Sequence, residues 1–287
     1  MSTGAAVNAA PSFTADPAQP FGPRRRYVAP EHPDVNVLLK HAVDCYSQGR
    51  LYDALDVCEQ VMGRFPAISR NVLMLAYEMY LPIWESDRYT QYQARHFGFG
   101  IRPGDKVLDI GSGNVPLSFA THLADLAVED DSFGRAGSPF KHIAGKPVFN
   151  CAVEKMPFAD KEFDFVYCSH VLEHVDDPLR ACRELMRVGK RGYIETPTLG
   201  KDVWLNTGKS SNHRWHVALF GDALEFTEYA ARELDGVETD LLLDMHIRPQ
   251  TDREKAFAAL VLLKSDVINT MRLWDGAFSV SARLQPR

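Results

Sequence analysis

No stretch of these 287 residues stays apolar for the ~20 positions a bilayer-spanning helix requires, so no such helix is expected. The N-terminus lacks a basic segment followed by an apolar one, so no secretory leader is expected and a cytoplasmic protein is the natural reading. Cysteine is sparse. Cys45, Cys58, Cys151, Cys168 and Cys182 show no paired spacing, which excludes a disulfide framework and suits reduced thiols. There is no excess of basic residues: 32 Lys and Arg against 38 Asp and Glu leave a net charge of −6. That balance argues against nucleic acid as the main partner. The local run Arg24-Arg25-Arg26 reads as part of a solvated tail. Large apolar groups are scarce in residues 1–30, which are rich in Ala, Pro, Ser and Gly and are expected to be a disordered or extended tail.

What is present is 45% apolar content, that of an ordinary globular chain. Residues 31–100 read as a helical N-terminal extension or cap. Val35, Leu38, Leu39, Ala42 and Val43 share one helical face, and Gly49 breaks the run. Leu51 to Phe65 forms a second amphipathic helix stopped by Pro66. Ala42, Gly49, Ala54 and Pro66 fall where a tetratricopeptide hairpin places its small residues and its stop. One repeat cannot bury its own apolar face, so the hairpin should pack on the rest of the chain or on another copy, as in a homodimer through these helices. An aromatic-rich helical segment from Asn71 to about Phe99 follows, divided at Pro82.

From Lys106 onward strands and helices alternate. The strand candidates are Lys106–Ile110, Leu126–Glu129, Val148–Ala152, Phe163–Ser169 and Arg191–Thr196. Later strands are expected near Asp240–His246 and Ala258–Lys264. Helices fit at Leu117–Ala124 and Pro178–Val188. This alternation indicates an α/β domain over residues 101–287 with a parallel sheet covered on both faces. Within it, an apolar strand runs into Asp109 and then Gly111-Ser112-Gly113. Strand, glycine turn and helix form the usual seat of an adenosine-containing cofactor at the carboxyl ends of a sheet. The third glycine of a dinucleotide fingerprint is missing, since Asn114, Val115 and Pro116 follow. A pyrophosphate seat, and with it a nicotinamide-dependent oxidoreductase, is therefore disfavoured.

The chain here resembles the class I S-adenosylmethionine-dependent methyltransferases, in the type-11-like group with "LEHV" after the fourth strand. Asp109-Ile-Gly-Ser-Gly113 is similar to the first motif. Residues 151–166 are similar to the adenine-side loop and fourth strand. Ser169-His-Val-Leu-Glu-His-Val-Asp-Asp-Pro178 and Arg183-Glu-Leu-Met-Arg-Val188 continue the match. The resemblance covers roughly residues 85–265. It implies a Rossmann-like, seven-stranded, mostly parallel sheet with helices on both faces, carrying an N-terminal helical extension, and S-adenosyl-L-methionine as cofactor.

The resemblance also implies site residues. Asp109 would face the cofactor's amino-acid end, beside Gly111, Ser112 and Gly113. An acid at the end of the second strand would take the ribose hydroxyls; Glu129 is favoured, with Asp130 the alternative. Where relatives place an Asp for the adenine amine this chain has Ala152, so Glu154 or the backbone around Val153 would substitute. Ser169 and His170 would lie near the sulfonium. Tyr89 or Arg95 would hold the cofactor carboxylate.

Methyl transfer is an in-line displacement, and a hydroxyl nucleophile gains from a general base. His170, His174, His213 and His216 are the candidates, with Arg214 and Trp215 as acceptor contacts on the polar segment after the fifth strand. No convincing third ligand accompanies His213 and His216, so no metal is expected. The leading reading is methyl transfer to oxygen of a small-molecule or glycan-type acceptor. N- or C-methylation is the runner-up, and a methyltransferase-like interaction protein with a recruiting hairpin is the rival from another class.

Overall fold

The structure, a computed structural model, describes residues 13–129, 138–205, 212–230, 245 and 247–284. Its centre is a six-stranded sheet built from β1 (Val107–Ile110), β2 (His122–Asp125), β3 (Val148–Asn150), β4 (Phe165–Ser169), β5 (Arg191–Pro197) and an eighth strand, β8 (Asn269–Asp275). The order is β8-β5-β4-β1-β2-β3, parallel except for β8, which runs antiparallel to β5. All four residues of β1 and all five of β4 are buried, as the central strands of a sheet covered on both faces must be. Between β5 and β8 come β6 (Trp215–Phe220) and β7 (Ala223–Glu228). They form a small separate sheet with β9 (Ser279–Arg283). Trp215, Val217, Leu224 and Phe226 turn inward from it into the core shared by β1, β4 and the helix after β4.

Among the described residues the helices longer than four residues are α1 (Val35–Ser47), α2 (Leu51–Arg64), α3 (Ser69–Tyr80), α4 (Pro178–Val188), α5 (Leu199–Trp204) and α6 (Asp252–Leu263). α4 begins where Asp177 accepts a hydrogen bond from the Arg180 amide and Pro178 takes the first turn. It buries Ala181, Cys182, Leu185 and Val188 against the sheet. The α1–α2 hairpin turns at Gly49, whose φ of +76° suits glycine. Leu38, Ala42, Ala54, Leu55 and Val61 pack in one cluster with Val72 and Ala76 of α3 and Ala256, Ala259 and Leu263 of α6. The extension's inner face is thus spent inside the chain. Residues 13–30 lie extended across it. Gly22–Pro23 pairs with Phe97–Gly98, and Arg24 and Arg26 are not solvated but ion-paired to Asp53, Asp56 and Glu59.

Four expectations change. The central sheet has six strands among the described residues, not seven. The strand expected at Leu126–Glu129 forms earlier, at His122–Asp125, and this displaces the helix expected over Leu117–Ala124. The Ala124 carbonyl accepts from both the Gly111 and Ser112 amides, and the Thr121 hydroxyl joins Val107 on both sides, so this backbone is committed to the sheet. The run expected as a strand at Ala258–Lys264 is the second half of α6. Its start is fixed by a capping box in which Thr251 and Glu254 satisfy each other's amides. The strand expected near Asp240–His246 falls almost wholly outside the described residues.

Candidate active site

The glycine turn sits at the carboxyl end of β1. Asp109 is 1% exposed, and its Oδ2 accepts the Leu117 amide at 2.7 Å. Burial pushes its pKa up to about 7, against the pull of that amide and of Arg88. Gly111 and Gly113 have φ of +72° and +52°, a backbone that side chains disfavour. A Cβ on Gly111 would come within 2.1 Å of Val171 Cγ2, so this glycine's bareness serves the contact with Val171 rather than leaving room for a ligand. Gly113 donates its amide to Asp125 Oδ2 at 3.0 Å.

Asp125, not Glu129, is the acid at the end of β2. Glu129 lies beyond the strand and is exposed, and Asp130 lies outside the described residues. The hydroxyls of Ser112 and Ser169 are buried near this turn and β4's end with no hydrogen-bond partner.

The expected carboxylate holders do other work. Tyr89 is fully buried on Phe99 and Phe119, with its hydroxyl on the Asp16 carbonyl. Arg95 is fully buried and bonded to Asp56, Glu59 and the Leu263 carbonyl. Arg88 is a cation within electrostatic reach of Tyr92, Tyr167, Glu195 and Asp109, and Lys201 is another within reach of Glu195 and Glu173. On the adenine side, Ala152 accepts the Lys155 amide and Val153 is core. Glu154 Oε1 accepts the Asp176 amide at 3.1 Å, which ties the loop to the start of α4.

Three of the four expected histidines come together around Glu173, and His216 does not. His170, at φ +58°, places Nε2 3.1 Å from Glu195 Oε1 and Nδ1 3.3 Å from Glu173 Oε1. Glu195 also accepts from Tyr92, Gln93 and Tyr193. Burial opposes ionisation of Glu195 and Glu173, but their neighbours, His170 first, hold both at about 2. His170 is thereby braced between two carboxylates.

His213 and His174 stack edge-on with ring centroids 4.6 Å apart. His213 Nδ1 meets Asp202 Oδ1 at 2.9 Å, and Asp202 also accepts the Tyr229 hydroxyl. Burial depresses the pKa of His213, but the Asp202 hydrogen bond and the charges of Glu173 and Asp202 together outweigh it and the net shift is upward; burial lowers that of His174. Arg214 bonds Asp176 and Glu228, and Trp215 is buried with its indole on the Val175 carbonyl, so both brace the segment. His216 lines a separate cleft of about 560 Å³ with Thr198, Leu199, Val217, Asn269 and Met271, which includes no residue of the glycine turn.

Arg88, Asp125, Glu173, Glu195 and Asp202 are residues of the candidate site that sequence reasoning passed over. Glu173 stands inside the "LEHV" segment itself, between two histidines that were singled out.

The methyltransferase domain family matches residues 108–194, the span from β1 through most of β5. That match and the methyltransferase relatives below support a class I S-adenosylmethionine-dependent methyltransferase domain over residues 108–194. It is 36% identical over 104 residues to the ubiquinone/menaquinone biosynthesis C-methyltransferase UbiE of Ectopseudomonas mendocina (strain ymp), covering 32% of this chain and 41% of that protein. The Pseudomonas entomophila (strain L48) protein of the same name is 27% identical over 199 residues, 65% of this chain and 75% of the relative. The chain thus spans less than half of one such relative and three quarters of another. A solved S-adenosylmethionine-dependent methyltransferase from Mesorhizobium loti shares 14% identity over 60% of this chain and 91% of that one, with a TM-score of 0.32.

S-adenosylmethionine is the methyl donor of this superfamily, and the residues present fit it. Asp109 and Arg88 match its ammonium and carboxylate in sign. Asp125 is a strand-end acceptor suited to ribose hydroxyls. The orphaned Ser112 and Ser169 hydroxyls are polar groups that a polar ligand would satisfy. Among the described residues no helix is long and apolar enough to cross a membrane.

Proposed function

We propose that the chain transfers the methyl group of S-adenosylmethionine to an oxygen of a small-molecule or glycan-type acceptor. The observation that carries the acceptor side is the cluster of His170, Glu173, His174 and His213 just past β4, next to the strand end that faces the cofactor's sulfonium in this superfamily. Displacement from a sulfonium releases a neutral thioether, so no acid is needed there. What remains for the protein is alignment of the nucleophile and, for a hydroxyl, management of its proton. Glu173, His174, His213 and Asp202 supply imidazole and carboxylate for that task. His170, braced between Glu173 and Glu195, positions the strand end instead.

C-methylation is the second reading, favoured by the names of the C-methyltransferase relatives. Incubation with methyl-labelled donor and a panel of hydroxylated small molecules and glycans tests both, since the labelled product shows O- or C-attachment directly. Calorimetry that finds no saturable binding of S-adenosylmethionine or its demethylated product would refute the proposal altogether.

A further inference from the structure

We propose that Glu173, His174 and His213 form a binding site for one divalent transition-metal ion of the zinc class. Each of the three offers one donor atom, and the atoms all lie within 4.8 Å of one another.

Glu173 provides an independent reason. Its carboxylate is 1% exposed, and neither oxygen has a hydrogen-bond partner. The groups closest to it are imidazoles, His170 Nδ1 at 3.3 Å and His174 Nε2 at 3.9 Å from Oε1. A buried carboxylate without hydrogen bonds is costly, and a metal ion is one of the few partners that offsets the cost.

The donor set is chemically selective. Two imidazoles and one carboxylate are the protein ligands of one class of catalytic zinc site, and they leave a coordination position open. The surroundings orient both rings in the manner of ligating histidines. His213 Nδ1 is engaged by Asp202 at 2.9 Å, and Asp202 is itself bonded to Tyr229. His174 Nδ1 lies 3.1 Å from the Asn212 carbonyl. Both contacts assign the proton to Nδ1 and coordination to Nε2. The Glu173 carbonyl accepts the amides of Arg214 and Trp215, which clamps two distant parts of the chain at the cluster. In a tetrahedral site with bonds of 2.0–2.2 Å the donors are about 3.5 Å apart, so the cluster closes by roughly 1 Å on loading. His174, at the surface, is the side chain able to make that movement.

The role of the ion rests on the methyl-transfer reading. In the open position it would take the acceptor hydroxyl and acidify it, with His174 and His213 then acting as ligands and not as bases. Binding itself does not rest on that reading.

The test uses full-length protein without a polyhistidine tag, stripped with a chelator and titrated with zinc and with cobalt(II). One equivalent should bind at micromolar affinity or tighter, and cobalt(II) should show the visible absorption of a tetrahedral nitrogen–oxygen site. His174→Ala and Glu173→Gln should each weaken binding at least tenfold. If Glu173→Gln fails to fold, His174→Ala carries the comparison, because its ring is at the surface. Absence of saturable binding by the unaltered protein, or equal binding by His174→Ala, overturns the proposal. Affinity of the unaltered protein for S-adenosylhomocysteine separates the two readings: absence of metal binding alone refutes the metal site, and absence of S-adenosylhomocysteine binding alone refutes the methyltransferase.

Discussion

Arg88 and Arg95 stand in the same connecting segment and have opposite surroundings. Arg88 faces Asp109 and Glu195 without a hydrogen bond to either, whereas Arg95 is locked to Asp56, Glu59 and the Leu263 carbonyl. Hydrogen bonds to charged groups contribute about 1.5–3 kcal/mol. Arg88→Met should therefore weaken S-adenosylhomocysteine binding by roughly 10- to 100-fold in calorimetry while leaving the melting temperature in place. Arg95→Met should do the reverse, costing about 3–5 kcal/mol of stability by stranding buried carboxylates. Asp109 adds a pH signature. Its native pKa of about 7 lies above the ordinary 3.8, so burying the charged form costs stability progressively as pH rises from about 4 through 7. A cofactor ammonium beside it would favour the ionised form, so affinity should rise between pH 6 and 8, and Asp109→Asn should flatten that rise. Gly111→Ala should destabilise through Val171 and the positive φ together. Adding Val171→Ala should recover the steric part, leaving about 1 kcal/mol of backbone strain measurable by denaturant titration. The sequence revealed Asp109 and the glycines because their motif is local. It concealed Arg88, Asp125 and Asp202 because their roles depend on where β2 pairs and how far α5 and the extension reach across the sheet.

At the scale of elements, ion pairs between the N-terminal segment, α2 and the end of α6 hold the extension. Glu59 meets Arg26, Arg95 and Lys264, and Asp56 meets Arg24, Arg26 and Arg95. Burial opposes ionisation of both, but the cations prevail, lowering Asp56 and bringing Glu59 from 4.5 to about 2. A depressed carboxylate pKa contributes stability that is full above the unfolded value and lost as pH falls. The contribution of Asp56 and Glu59 to the denaturant midpoint should therefore be flat above about pH 5 and fall between pH 4.5 and 2, with Glu59 contributing about 3 kcal/mol at most. Glu59→Gln should be less stable at pH 7 and show a shallower acid slope; an unchanged slope would remove Glu59 from the account. Element legibility followed the same division between local and distant causes. α4 is readable to the residue because Asp177 and Pro178 announce its start and its apolar stripe repeats every turn. The apolar run of α6 has no single exposed face, so its period cannot tell helix from strand, and the Thr251–Glu254 box was the signal that decides it.

For the whole molecule, the decisive fact is that α6 belongs to both parts. Its buried residues sit in the cluster with α2 and α3, and its C-terminus leads through the four-residue helix Ser265–Ile268 into β8, which pairs with β5 over seven residues. An independent recruiting arm would have its own core and a separable transition, but this hairpin's inner face is occupied by α3 and α6. A homodimer through these helices would have to use their outer face, where Val37 and Val43 are exposed. Deleting residues 1–66 would uncover Val72, Leu73, Ala76, Ala256, Ala259 and Leu263 together. At about 1.5–3 kcal/mol for each large apolar side chain, that loss is comparable to the 5–15 kcal/mol that keeps a typical domain folded. The truncated chain should aggregate or lose its melting transition rather than remain folded without the arm. In the intact protein, Trp84 lies at the extension's cluster and Trp215 and Trp274 in the sheet core, so tryptophan fluorescence samples both. Fluorescence and far-ultraviolet circular dichroism should trace one coincident unfolding curve. Two separated transitions, or a truncated chain that melts cooperatively near the intact temperature, would show that the extension and the sheet are independent units.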